Sequence, residues 1–411
     1  MNYQIEDVFS PRSFPQNTYI SRKLDDGETV DDRLKRALSM KGNLIFVTGA
    51  SKSGKTVLCH NVISSESYIA LSGNQISTKA DFWNHIAEQL PLSDAVVLTT
   101  GEQNSNNKGS QAELKLNLGI ASLGASINSN TGNNMNQQLA MTNNRTERQI
   151  IRYLIDNNKV LVLDDFHYIA ADMQMYIART LKTELFNGLK AVIISLPHRS
   201  DEAIICNPDL IGRTTSIEIL PWSAEELRAI AVKGFALLGL QIGEAEERLL
   251  AQESIASPQL MQENCFQLAF ASVQKQLAIQ LDLVRYAFRQ TARNYAHYER
   301  LVQAIRQGPA QGIGRRKSYL LQDGAVDIYQ LLLLALKADP PVTELSLGAL
   351  KERLRQLLYT QATPSSSVIS AALNKIIKIV AELMPDLDAL EYKNQCLYIL
   401  DPFLLFYLRW K

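Results

Sequence analysis

The chain has 411 residues, a length that suits two or three domains. Hydrophobic residues make up 46% and charged residues 20%, globular proportions that exclude a disordered or fibrous chain. Lys plus Arg and Asp plus Glu tie at 42 each, so any pull toward nucleic acid or membrane must come from a local patch. No apolar run reaches the roughly 18 residues that a spanning helix needs, and MNYQIEDVF lacks a basic-then-apolar leader. Cys59, Cys206, Cys265 and Cys396 lie far apart without CxxC spacing, which argues against a disulfide framework or a zinc site. A cytoplasmic, multidomain chain with no membrane association is the expectation.

Residues 1–28 read as an N-terminal extension, and a first domain is expected over 29–221. Asn43–Thr48 is a β-rich run that breaks into Gly49-Ala50-Ser51-Lys52-Ser53-Gly54-Lys55-Thr56, followed from Val57 by a helix-compatible stretch. This is GxxxxGK[ST] with a strand before it and a helix after it, the context in which such a loop cradles phosphates. Glycines let successive N–H groups point at phosphate oxygens, and the helix N-terminus adds partial positive charge. Lys55 would reach the β and γ phosphates, and the Thr56 hydroxyl would serve Mg²⁺.

A strand at Tyr68–Leu71 and a helix at Lys79–Leu90 come next. Leu71-Ser-Gly-Asn-Gln75 looks like the signature of ABC transporters, but it follows the P-loop too closely and reads as a strand end plus a turn. Residues 96–145 are rich in Asn, Ser, Gly and Gln. Within them Leu114, Leu116, Leu118 and Ile120, then Leu123, Ala125 and Ile127, alternate with polar residues or glycine, as in an inserted β-hairpin with flexible flanks. Lys159–His167 is a buried strand ending in Asp164 and Asp165, the form of a Walker B element. There the first acid holds Mg²⁺ and the second polarises the attacking water. A helix over Asp172–Phe186, an apolar strand at Ala191–Ile194 ending in Ser195, and a strand at Ser216–Leu220 complete the domain. Strands alternating with helices at these spacings imply an α/β fold, a parallel sheet sandwiched by helices.

The order of elements resembles the AAA+/STAND P-loop ATPases, in particular the branch of Orc/Cdc6-like and archaeal-type ATPases with a C-terminal winged helix. The resemblance implies ATP as the ligand with Mg²⁺. It also implies Ser195 as a polar sensor at the end of the fourth strand, Arg199 as the arginine just past it, and Arg213, before the fifth strand, as an arginine finger reaching a neighbouring subunit. Ser223-Ala-Glu-Glu opens a helix with a capping pattern and starts a helical lid with linker helices over 222–322. Ser257-Pro258-Gln259-Leu260 stands where AAA+ proteins carry a sensor arginine and STAND proteins a GxP motif. The arginine is absent and Pro258 is kept, a departure that favours slow nucleotide sensing over a fast motor.

From Arg285 to Lys317 there are eight basic residues and one acid, and Arg285, Arg289 and Arg293 share one helical face, with Tyr286, Phe288, Tyr295 and Tyr298 interleaved. Such a stripe suits DNA or RNA, an acidic protein surface, or merely a solvated face. Residues 323–411 resemble the winged helix of the archaeal-type ATPases, with Asp401-Pro402-Phe403 as a DPF-like run. The closing helix is apolar on most faces and calls for burial, in this chain or against a partner. The function implied is an ATP-hydrolysing regulatory switch that self-assembles with nucleotide, in signalling or defence, with an effector protein acting in trans. The alternative is a nucleic-acid-binding loader or clamp related to Orc/Cdc6. A remodeller of protein substrates lacks its aromatic pore loop, since Ser72–Thr78 holds no aromatic residue.

Overall fold

The structure is a computed structural model and describes residues 3–24, 26–91, 147–196, 212–310, 316–322, 324–359, 362–385, 387 and 389–411. The expected hairpin within 96–145 and Arg199 both lie outside these residues. The chain folds as two compact units. One comprises Met1–Arg22, Ala50–Gly54 and Ile219–Lys411, and the other Lys23–Gly49 and Lys55–Glu218.

The second of these is the α/β unit. Its strands β1 (Leu44–Gly49), β2 (Tyr68–Ser72), β3 (Val160–Asp164), β4 (Lys190–Ser195) and β5 (Thr214–Ile219, whose last residue belongs to the other unit) form one sheet in the order β2-β3-β4-β1-β5. The pairs β1–β4, β3–β4 and β2–β3 are parallel, with Thr48 opposite Ser195 and Ser72 opposite Asp164. Strands so placed are covered on both faces and read as apolar runs rather than alternations, and every residue of β1 is buried. Leu44, Phe46, Leu161, Leu163, Ala191 and Ile193 pack on one side of the sheet with Phe82, Trp83 and Ile86 of the helix Lys79–Ala87 and with Ile177, Leu181 and Leu185 of the helix Ala171–Phe186. Parallel strands put their C-terminal ends on one edge, so Gly49, Ser72, Asp164 and Ser195 all arrive there.

The other unit is mainly helical. The helices Ala224–Leu237, Glu244–Glu253, Pro258–Lys275, Leu281–Asn294 and Glu299–Gln307 share one apolar core with the C-terminal elements. Those are the short hairpin β6–β7 (Tyr319–Leu321, Gly324–Val326), the sheet β8-β10-β9 (Glu344–Ser346, Cys396–Ile399, Leu390–Lys393) and four helices, Ile328–Lys337, Leu347–Leu357, Ser366–Leu383 and Pro402–Trp410. Asn394 and Gln395 both have positive φ, as a two-residue turn of the hairpin kind requires. The N-terminal segment belongs here too. Phe9 is wholly buried, and a Cβ on Gly234 would stand 2.2 Å from its ring, so only glycine lets the helix approach it. Gln262 ties both ends of the segment, accepting from Ser10 N at 3.2 Å and donating to Thr18 Oγ1 at 2.8 Å.

The closing helix finds its burial inside the chain: every residue from Pro402 to Leu408 is buried. Asp401 caps it, its Oδ1 accepting from Phe403 N at 2.8 Å, with Pro402 at the first turn where a missing N–H costs nothing. Arg409 and Trp410 then clasp Glu253, which is 2% exposed. Arg409 Nε and Nη2 donate to its two oxygens at 2.9 and 2.6 Å, and Trp410 Nε1 donates at 2.6 Å. Removing one side of such a buried pair leaves an uncompensated charge. Arg409→Met is expected to lower unfolding free energy in urea by about 3–5 kcal/mol, and adding Glu253→Gln to restore part of it.

Candidate functional site

The loop after β1 turns into the helix Lys55–Val62, so Lys55 and Thr56 sit in its first turn. Lys55 Nζ donates to Gly49 O at 2.9 Å, closing back on the start of the loop. Thr56 Oγ1 donates to Asp164 Oδ2 at 2.6 Å. The other carboxylate oxygen, Asp164 Oδ1, accepts from Asp165 N at 2.9 Å. Residues 108 apart in sequence thus meet at one point, as expected for the ends of two loops on the same edge of a parallel sheet. Burial pushes the Asp164 carboxyl above its ordinary range, against the lowering effect of the Thr56 hydrogen bond, and the neighbouring Asp165 charge pushes the same way as burial. A hydroxyl and a strained-for-charge carboxylate are hard oxygen donors of the kind that suits Mg²⁺.

Asp165 lies in the left-handed region, φ 54° and ψ 37°. That turns the chain sharply after β3. The turn has a partner that the sequence did not advertise. Leu71–Gln75 is the end of β2 followed by a single 3-10 turn, Gly73–Gln75. A Cβ on Gly73 would fall 2.2 Å from Asp165 O and 3.2 Å from Ile169 Cγ1. The glycine is required because two backbones touch there. Ser195 ends β4 opposite Thr48, is 1% exposed, and its Oγ has no hydrogen-bond partner among the described residues. A buried hydroxyl left unpaired is costly, and this one stands one strand from the phosphate loop. His167 packs its ring against Tyr168 at 4.2 Å.

The arch of the loop, Ala50–Gly54, belongs to the helical unit. Lys52 (φ 61°) and Gly54 (φ 95°) both carry the positive φ that folds the chain tightly. Ser53 N donates to Ala50 O at 3.3 Å, and Ser53 O accepts from Trp222 Nε1 at 2.8 Å. Pro258 starts the helix Pro258–Lys275, which Ser257 Oγ caps through Leu260 N, and it comes to the arch: a Cβ on Gly54 would lie 3.9 Å from Pro258 Cγ. Just before it, Ile255 and Ala256 both hold positive φ, 50° and 52°, a conformation that costs on the order of 1–3 kcal/mol each outside glycine. Ala50 and Lys52 are exposed, Ser51, Gly54 and Val57 half-buried, and Gly49 buried.

The remaining arginines are dispersed. Arg213 is exposed just before β5, its backbone O accepting from Leu44 N at 2.9 Å. Arg285, Arg289 and Arg293 are exposed on one face of Leu281–Asn294, while Val284, Ala287, Phe288 and Thr291 fill the other. The aromatic half of the expected stripe turns inward. Phe288 and Tyr298 are buried, Tyr295 packs against Phe403 with the rings tilted by 35°, and Tyr286 lies under the Lys275 ammonium at 3.4 Å. Lys375 and Lys378 are exposed on the helix Ser366–Leu383.

Among solved structures, the chain is similar to a Walker-type ATPase of Pyrococcus abyssi, with a TM-score of 0.50 and 11% identity over 92% of this chain and 94% of that one. This chain has a P-loop ATPase fold. The Orc2 protein of Aeropyrum pernix also overlaps it (TM-score 0.47, 13% identity, 98% and 97% covered), as does Cdc6p of Pyrobaculum aerophilum (0.43, 13%, 98% and 97%). No protein-family model and no curated protein matches the sequence. No helix of the described residues is long and apolar enough to cross a membrane.

Within this P-loop ATPase fold the Gly73 contact carries a direct prediction. Gly73→Ala must displace the Asp165 turn, an overpacking expected to cost about 1–3 kcal/mol in urea unfolding. A variant as stable as the wild type would show that the two backbones part freely.

Proposed function

We propose that this chain is an ATP-binding, Mg²⁺-dependent ATPase of AAA+/STAND type that works as a regulatory switch. The observation that supports it most is the meeting of Thr56 Oγ1 and Asp164 Oδ2 at 2.6 Å, directly beside the first turn of a GxxxxGK[ST] helix. In this reading the N–H groups of Gly49–Val57 face the phosphates, and Lys55 leaves Gly49 O to reach the β and γ oxygens. Thr56 and Asp164 would hold Mg²⁺, which would supply charge neutralisation for the phosphates when bound. Asp165 orients the attacking water and accepts its proton as the bond to the γ phosphorus forms, while the bond from that phosphorus to the β–γ bridging oxygen breaks and ADP leaves with the oxygen and the electron pair. Ser195 offers its unpaired hydroxyl to the γ phosphate, and Pro258 lies against the nucleotide-binding loop. Arg213, exposed before β5, takes the role of a finger toward a second copy of the chain in this reading, and Arg199 is assigned the neighbouring role by resemblance alone.

The same reading takes the sheet β8-β10-β9 and its helices as a winged helix, the assembly as a homo-oligomer, the location as cytoplasmic, and an effector protein as acting in trans. Its coupling requires only that ATP contact one arrangement of the chain better than another. The absence of an arginine at Ser257–Leu260 and the presence of Pro258 favour the switch over a motor. The second reading, a loader or clamp on DNA or RNA, draws on Arg285, Arg289 and Arg293, which are all exposed on one side of a helix.

Phosphate release tests both. Wild-type chain is expected to hydrolyse ATP slowly and only with Mg²⁺. Lys55→Ala should lose nucleotide binding, whereas Asp165→Asn should still bind ATP yet turn over about a hundredfold more slowly, the scale of a lost general base. Equal turnover in wild type and Asp165→Asn would contradict the assignment of Asp165. Stimulation by duplex or single-stranded DNA that collapses between low and moderate salt would move the conclusion to the loader.

A further inference from the structure

Trp222 stands where β5 gives way to the lid helices and, within the same compact unit, touches the arch of the phosphate loop. Its indole Nε1 donates to Ser53 O at 2.8 Å. The ring is half-buried, and the Arg22 guanidinium lies 4.8 Å from its centroid. Arg22 is itself fixed to the segment around the indole. Its Nε and Nη2 donate to the two oxygens of Glu226 at 2.8 and 3.1 Å, and Nη1 donates to Leu220 O at 2.8 Å. The indole is thus clamped by the N-terminal segment on one side while it grips the loop on the other.

A trans peptide points its C=O and its N–H in opposite directions. Fixing Ser53 O therefore fixes the direction in which Gly54 N–H points. Gly54, at φ 95°, holds a conformation that glycine enters and leaves at little cost. Without a restraint from outside the loop, that peptide can turn over and present a carbonyl where an anion needs a donor. Ser53 supplies no such restraint itself, because its Oγ is buried without a partner among the described residues. No backbone carbonyl among the described residues accepts from Gly54 N–H. An indole N–H donates and never accepts, so Trp222 recognises one orientation of this peptide only.

We propose that Trp222 is a positioning residue of the nucleotide site, holding the Ser53–Gly54 peptide so that Gly54 N–H faces the phosphate chain. The inference rests on the nucleotide-binding reading above and adds a residue outside the P-loop motif. It also gives the segment that carries Trp222 a handle on the loop: any shift that draws the indole away from Ser53 O would release the peptide and weaken the grip on phosphate.

Isothermal titration with Mg-ADP, thermal melting and steady-state ATP hydrolysis test it together. Trp222→Phe keeps a ring for Arg22 to cover but has no donor. It is expected to melt with the wild type, to weaken Mg-ADP about five- to tenfold, the scale of one lost hydrogen bond, and to raise KM for ATP by the same factor with kcat nearly unchanged. A lowered melting temperature with Mg-ADP affinity intact would make Trp222 a structural residue and overturn the proposal. Arg22→Gln guards against a misfolded phenylalanine variant: it keeps the indole but loosens its clamp, and an affinity loss of about two- to threefold is expected, with an unchanged affinity counting against the proposal. A wild type that binds no Mg-ADP at all overturns the nucleotide-site reading and this inference with it, which separates that failure from an unaltered variant beside a binding-competent wild type.

Discussion

The short hydrogen bond between Thr56 and Asp164 is the constraint around which the α/β unit is arranged. It requires the end of the phosphate loop and the end of β3 to reach one point although β4 lies between their strands. A parallel sheet meets that demand because all its C-terminal ends lie on one edge, which is also where open α/β sheets place their ligands. The cost is borne by Asp164, whose carboxyl is desolvated and accordingly harder to ionise. Two hydrogen bonds, from Thr56 and from Asp165 N, hold the carboxylate in place against that cost. The close approach of Gly73 to Asp165 then sets the turn from which both acids project.

The helical unit is built on a different principle. Its helices between Ala224 and Gln307 and its C-terminal elements share one apolar core, closed near Trp410 by the clasp of Arg409 and Trp410 on Glu253. Residues 3–22 belong to that unit, through Phe9 against Gly234 and Gln262 between Ser10 and Thr18. Rigidity of this kind lets a small rearrangement be transmitted, since a packed core moves between discrete arrangements rather than deforming continuously. The arch Ala50–Gly54, held by Trp222 and neighboured by Pro258, is where such a rearrangement would bear on the loop and, in the proposed function, on its nucleotide.

Most of the fold was legible because its signals are local. The strand before the P-loop, the apolar run ending in Asp164 and Asp165, and the helix patterns over 79–87, 171–186 and 366–383 each follow from periodicity and caps within a short window. The motif residues on the sheet edge were legible for the same reason. What escaped depends on contacts between distant segments. Gly73 reads as a turn glycine until Asp165 O is found against it, and Trp222 and Arg22 follow no motif spacing because their partners lie far along the chain. The short hairpin β6–β7 has strands of three residues, too few to alternate visibly. The aromatic residues between the arginines of Leu281–Asn294 illustrate a different failure. Composition put them with the basic stripe, whereas the helical period puts Phe288 on the opposite face, in the core.

A nucleotide-driven switch requires that nucleotide change the state of the molecule. Solution mass by light scattering, with Mg-ADP and then with a non-hydrolysable ATP analogue, tests this for the wild type and for Lys55→Ala. The account predicts a large assembly of wild type with the analogue, none with ADP, and none for the variant in either. A wild type of one mass in both nucleotides, identical to that of Lys55→Ala, would contradict it.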